Sequence, residues 1–165
     1  MDCFVDSLKG RNLSISVDVS EGVGKDYHAV QVLDIETLEQ LGEYKNNKLS
    51  QSIFSKELIY LMKEFKREGC KDIYLSIEHN GLGLGVINLI EHSDDPIMKE
   101  VTIIKDRKKK GITMTHSNKK KGCALLKDMV ELEKIKINST NLISELKFFI
   151  KRNESFAAER GKHDD

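Results

Sequence analysis

The sequence predicts an α/β domain built on a central sheet of mixed direction. Three observations point there: three period-two segments in succession before residue 50, an alternation of helical and strand-like segments after it, and only one proline, Pro96, with no low-complexity tract. At 165 residues the chain is long enough for one domain with a sizeable core. Residues 1–12 read as an N-terminal extension and 13–165 as the domain.

The first strand covers residues 13–19, where Ile15, Val17 and Val19 face one way. The second, YHAVQVLDI (27–35), alternates Val30 and Val32 with the polar Gln31. A third, TLEQLGEYKN (37–46), follows after a few residues around Glu36, so the three form an antiparallel meander. From Ser50 the period changes. Ile53, Leu58, Leu61, Met62 and Phe65 mark one face of a helix that ends at Gly69, with Ser50 or Ser52 as N-cap. DIYLSIE (72–78) returns to strand and is followed by HNGLGLG and a helix through about Glu91 that carries Val86, Ile87, Leu89 and Ile90. EVTIIKD (100–106) is a fifth strand, and residues 107–121 are basic and turn-like. A helix from about Lys119 to Glu133 presents Leu125, Leu126, Met129, Val130 and Leu132. KIKIN (134–138) reads as a short strand, residues 140–152 as a helix, and 156–165 as a less regular tail.

Lys plus Arg and Asp plus Glu both number 27, so nucleic-acid affinity requires segregated charge. Cys3, Cys70 and Cys123 are odd in number and lack metal-ligand spacing; they read as reduced thiols of an intracellular protein. No apolar run reaches the ~18 residues of a transmembrane helix, and MDCFVDSLKG lacks the pattern of a signal peptide.

Asp18 breaks the strand pattern: it is a carboxylate near a strand end, on the face opposite Val17 and Val19, before the loop SEGVGKDY. Glu78 ends its strand in the same way, and Asp164 and Asp165 close the chain. The crevice beyond strand ends is where open α/β sheets bind ligands. If the strands of Asp18 and Glu78 are neighbours, their like charges repel unless a cation lies between them. Carboxylate oxygens suit Mg²⁺ or Mn²⁺, and two such ions about 4 Å apart activate water and stabilise the leaving oxygen of a phosphodiester. Asp18 is then a metal ligand, with the loop holding the cleft open. Asp26 and Glu21, in that loop, are candidate outer ligands or water-orienting groups. His28, His79 and His163 stand close in sequence to the acids, and either orient water or serve their loops. Each acid alone also reads as a cap, a turn residue or a solvated terminus; their joint order points to a site. GVGK is not a phosphate loop, because GxxxxGK[ST] is absent.

The segments VDVSEGVGKDYHAVQVLDI, IEHNGLG, KKKGCALLKDMVELEKIKIN and SFAAERGKHDD carry a resemblance across residues 13–165. The chain resembles the nuclease domain of the large terminase subunit, the DNA-packaging protein of tailed bacteriophages, and within it the T4-like branch. The resemblance implies a ribonuclease H-like fold and a metal-dependent endonuclease that cuts double-stranded DNA during genome packaging. By position, Asp18 matches the family's first catalytic aspartate and Glu78 its catalytic glutamate. Asp165 is the first choice for the third ligand and Asp164 the second, with Asp26 matching an acidic loop position. The resemblance also implies a terminase ATPase domain, a small terminase subunit and a portal as partners, in the cytoplasm of an infected bacterium. This chain has no Walker A sequence and stops at HDD, where the family continues into a C-terminal helix.

Between Lys105 and Lys121 lie Lys105, Arg107, Lys108, Lys109, Lys110, Lys119, Lys120 and Lys121, with Asp106 the one acid among them. On a neutral chain this is a local positive patch, either a solvated loop or a sequence-independent, salt-sensitive clamp for DNA phosphates. Thr113, Thr115, Ser117 and Asn118 add neutral phosphate donors, and the absence of interleaved aromatics argues against single-strand stacking. Two other readings stand beside the endonuclease. One is a catalytically weak nuclease-like module for DNA binding or motor docking. The other is half of an actin-like or sugar-kinase-like ATPase, for which the chain is too short.

Overall fold

A six-stranded mixed sheet carries the fold in this computed structural model, which describes residues 1–147, 149–152 and 155–158, the last two ranges as backbone. Strands β1 (Asp2–Cys3), β2 (Asn12–Asp18), β3 (His28–Asp34) and β4 (Gln40–Asn46) are followed by helix α1 (Gln51–Arg67). Strand β5 (Asp72–Ile77), helix α2 (Gly81–Glu91) and strand β6 (Val101–Ile103) complete the sheet and one helical layer. The strand order is β1-β4-β3-β2-β5-β6; β2, β5 and β6 run parallel and the other pairs antiparallel. The expected meander and the mixed direction of the sheet are both present, and Asp72–Ile77 joins β2 in parallel. Strand β1, unassigned in the sequence, pairs Asp2 with Glu43 and Cys3 with Gly42, and so covers the free edge of β4.

Alternation along the strands gives the sheet two unlike faces. Leu13, Ile15 and Val17 of β2, Val30 and Val32 of β3, and Ile73, Leu75 and Ile77 of β5 form one buried cluster with α1 and α2. Ser50 caps α1 by accepting from the Ile53 amide, and Phe54, Leu58, Met62 and Phe65 face the core. Each such side chain contributes about 1.5–3 kcal/mol through burial. Ile53 does not join them. It lies in the first turn, three residues after the Ser50 cap and one position from the inward Phe54, and is 49% exposed.

His28 also lies on this dry face, fully buried and stacked on Phe54 at 4.2 Å between ring centroids. Its Nδ1 accepts from the Ser20 amide at 3.1 Å, so Nε2 carries the proton and donates to the Leu49 carbonyl at 2.7 Å. The histidine therefore ties the loop after Asp18 to the entry of α1, with its back to the acids. His28→Ala is expected to destabilise the fold by about 3–5 kcal/mol, combining a cavity with two lost buried hydrogen bonds. Chemical denaturation measures this; a change below about 1 kcal/mol would exclude the tether.

The opposite face has thin cover. Helices α3 (His116–Glu131) and α4 (Thr140–Lys147) lie over it without one fully buried residue, and Leu125 and Leu132 are 60% and 62% exposed. The apolar stripe read on residues 119–133 is thus only partly buried, with Leu125, Val130 and Leu132 exposed. Two other expectations are corrected. KIKIN is not a strand, because β1 already occupies the edge of β4. Lys136 makes one isolated bridge to Glu39, and Gln40 Oε1 accepts from the Asn138 and Ser139 amides instead. The last helix stops at Lys147, and Phe149–Arg152 (β9) pairs antiparallel with Ser155–Ala158 (β10). Phe149 and Ile150 favour a strand once a partner strand pairs with them.

Candidate functional site

The polar face of the sheet brings the two strand-terminal acids together. Val17 and Ile77 are partners in the parallel ladder of β2 and β5, so Asp18 and Glu78 occupy the next position on adjacent strands. Adjacent strands stand about 4.8 Å apart, and side chains at one register position share a face. Ala29 is the partner of Asp18 on β3 and adds no bulk beside it. Asp18 is exposed and Glu78 half-buried.

Both acids line a cavity of about 530 Å³ between the sheet and α3 and α4. Its floor is polar, with Ser16, Gln31 and Ser76, and its roof includes Met114, Leu126 and Leu146. Lys119 also lines it, half-buried on the first turns of α3. Burial raises the Glu78 pKa, and the like charge of Asp18 raises it further. A hydrogen bond from the Asn80 side chain and the charge of Lys119 oppose those two effects.

The glycine-rich turn after Glu78 explains itself at this point. Asn80 caps α2 by accepting from the Gly83 amide at 2.8 Å. A Cβ on Gly83 would overlap the carbonyl oxygen of Glu78, so only glycine lets the first turn of α2 lie against the acid's backbone. The EHNGLG stretch contained the signal for Asn80 as a cap; its second role, on the carboxylate of Glu78 two residues before it, is local to the same turn.

The basic segment divides in two. Lys105–Asp106 (β7) and Lys109–Lys110 (β8) form a hairpin with Arg107 in the left-handed region, φ 57°. Lys105, Arg107, Lys108 and Lys109 are exposed, whereas Lys110 is half-buried and pairs with Glu91. Lys119, Lys120 and Lys121 belong instead to α3, whose cap is Thr115, accepting from the Asn118 amide at 3.1 Å. The EVTIIKD strand accordingly ends at Ile103, and its last residues turn into the hairpin. Glu21 and Asp26 sit exposed on the loop between β2 and β3. His163, Asp164 and Asp165 lie outside the described residues. Among the described residues no third His, Cys, Asp or Glu joins the pair in a metal-sized group.

A family model described as a terminase RNaseH-like domain matches residues 15–165. The chain belongs to that family. The terminase domain is also similar to the crystal structure of the large terminase nuclease from thermophilic phage G20c, at 15% identity and a TM-score of 0.69 over 99% of this chain and 80% of that one. The magnesium-bound form of that nuclease aligns with a TM-score of 0.70 at 16% identity, over 99% and 79% of the two chains. The large terminase nuclease domain of Thermus phage P74-26 aligns at 0.63 and 16% identity, over 94% and 74%. At these identities the likeness establishes the ribonuclease H-like fold of the terminase domain: a mixed sheet flanked by helices.

Proposed function

We propose that this terminase domain is a divalent-metal-dependent endonuclease that cuts double-stranded DNA during genome packaging. The observation that carries the reading is the pairing of Asp18 and Glu78 at neighbouring positions of the polar sheet face. Two carboxylates there repel each other: burial raises the Glu78 pKa first, and the like charge of Asp18 adds to that rise. Their oxygen donors suit a hard divalent ion, Mg²⁺ or Mn²⁺, which would neutralise both. Asp165, or Asp164 beside it, completes the ligand set in this reading, with Asp26, Glu21 and His163 as outer groups. The phage G20c terminase nuclease has been crystallised with magnesium and with cobalt, which supports the same donor chemistry here. Divalent ions bound in such a site, two in this proposal, supply an activated water and stabilise the leaving oxygen. The chain's own residues hold and orient the acids. Gly83 seats the backbone of Glu78, Asn80 bonds its carboxylate, and Lys119 adds positive charge at the cavity wall.

The exposed cations of the β7–β8 hairpin are proposed to bind backbone phosphates without reading sequence. The T4-like assignment rests on the SEGVGKDYHA and AAERGKHDD stretches. A terminase ATPase domain, a small terminase subunit and a portal are the proposed partners, in the cytoplasm of an infected bacterium.

Purified protein with supercoiled plasmid and Mn²⁺ is expected to give nicked and linear products that a chelator prevents. Intact plasmid at every metal concentration would overturn the reading. Replacing Lys108, Lys109 and Lys110 with alanine should weaken DNA binding on all sequences and lower the salt slope by about 2–3, near one per lost phosphate contact. An unchanged affinity and slope would make the hairpin a solvated loop.

A further inference from the structure

The β7–β8 hairpin is an excursion from the sheet edge beside Glu78. Strand β6 pairs with β5 as far as Ile103 and Leu75, and the Ile104 amide donates to the Leu75 carbonyl at 2.8 Å. After the hairpin the Ile112 amide donates to the Ile77 carbonyl, also at 2.8 Å, and Ile112 bridges Glu78. The chain thus leaves and rejoins the same edge of β5. Gly111 makes the return possible. Its φ is +88°, and a Cβ there would lie 2.8 Å from both the Ile77 oxygen and Ile87 Cδ1. Lys110 is held on one side by its ion pair with Glu91. On the other, His79 Nδ1 lies 2.8 Å from the Lys110 carbonyl oxygen. A carbonyl only accepts, so Nδ1 carries a proton and donates. The backbone amide of His79 donates to the Ile112 carbonyl at 2.7 Å. The residue next to the acid therefore grips the hairpin base at two points, by ring and by main chain.

We propose that His79 is a positioning residue: its ring fixes the angle of the basic hairpin to the Asp18–Glu78 pair, so that DNA held by Lys108 and Lys109 presents a phosphodiester to the acids. The inference rests on the nuclease reading and adds how the cut is placed. A two-stranded arm with two-residue strands is too short to hold its own orientation. Displacement of a substrate by about 1 Å costs on the order of 100-fold in rate. His79 itself touches no substrate in this scheme; it acts through the Lys110 carbonyl.

The test compares His79→Ala, His79→Asn and His79→Gln in plasmid cleavage with Mn²⁺. Asparagine offers an N–H close to the place of Nδ1, and glutamine carries its amide one bond further out. His79→Ala is expected to lower kcat about 10- to 100-fold at saturating DNA, His79→Asn to restore most of it, and His79→Gln not to. In a background with Lys105, Arg107, Lys108 and Lys109 all changed to alanine, His79→Ala should cost little more, because the arm it orients no longer holds phosphate. Asparagine no better than alanine, or a full His79→Ala effect in that background, would overturn the proposal. If alanine prevents folding, the asparagine–glutamine pair carries the comparison. Should the parent protein fail to cut any plasmid, the nuclease reading falls by itself. Salt-dependent DNA binding then still reads the clamp: His79→Ala must flatten the slope and His79→Asn restore it, and equal slopes would end it.

Discussion

Asp18→Asn is expected to abolish metal-dependent cleavage while leaving DNA retention intact. The loss should exceed the roughly 100-fold typical of removing a group that only supports a metal ligand. The same substitution has an opposite effect on the ion-free fold. Asp18 raises the pKa of Glu78 by like charge, after the larger effect of burial. A carboxyl that keeps its proton to higher pH when folded makes the folded state the stronger proton binder in that window. Stability of the ion-free protein must then fall as pH rises from the ordinary glutamate range through the raised value. Asp18→Asn removes one of the two causes, so the fall should shrink, and thermal midpoints above that window should equal or exceed the parent's. Added Mn²⁺ should raise the parent's midpoint in proportion to ligand occupancy and leave the variant's unchanged. Plasmid cleavage, DNA anisotropy and melting between pH 4 and 8 check the set. A variant that cuts as fast as the parent would remove Asp18 from the site.

Gly83→Ala carries the second large effect, and it reaches the same acid through the backbone. The added methyl meets the carbonyl oxygen of Glu78, an atom of the main chain that cannot rotate away. The first turn of α2 must lift from the end of β5, which strains the Asn80 cap and shifts the Glu78 carboxylate from its place beside Asp18. Forced overpacking of this kind costs about 1–3 kcal/mol or more. Cleavage should fall on the order of 100-fold if the acid moves by about 1 Å. Gly81→Ala is the matched control: it lies two residues earlier on α2 with open space around it, and stability and cleavage should both stay near the parent's. If Gly83→Ala melts and cuts like Gly81→Ala, the close approach has no consequence.

Much of this was legible in the residues. The period-two alternation around Ile15 and Val30 and the helical stripe of Leu58, Met62 and Phe65 are local signals, and the dry core uses those side chains. Asp18 and Glu78 were legible as misfits at strand ends. Their adjacency was not, because it depends on β5 pairing parallel to β2, a choice made by tertiary packing. KIKIN has a strand's composition but met an edge already filled by Asp2 and Cys3, two residues too few to show periodicity. FIKR was drawn out of a helical pattern by a hairpin partner a few residues on. The run of basic residues between 105 and 121 reads as one patch along the chain, yet the fold assigns its first part to a hairpin and Lys119, Lys120 and Lys121 to α3. Lys119 reaches the cavity through that helix, which charge counting alone does not reveal.

The two sheet faces are covered to different depths. On one side Phe54, Leu58, Val86 and Ile90 lock the β-strands to α1 and α2. On the other, α3 and α4 bury no residue fully over the carboxylates. Segments with few buried apolar contacts open at low free energy while the rest of a protein stays folded. The strands that aim Asp18 and Glu78 therefore take their firmness from the dry side, and the layer over the acids is the more loosely held of the two.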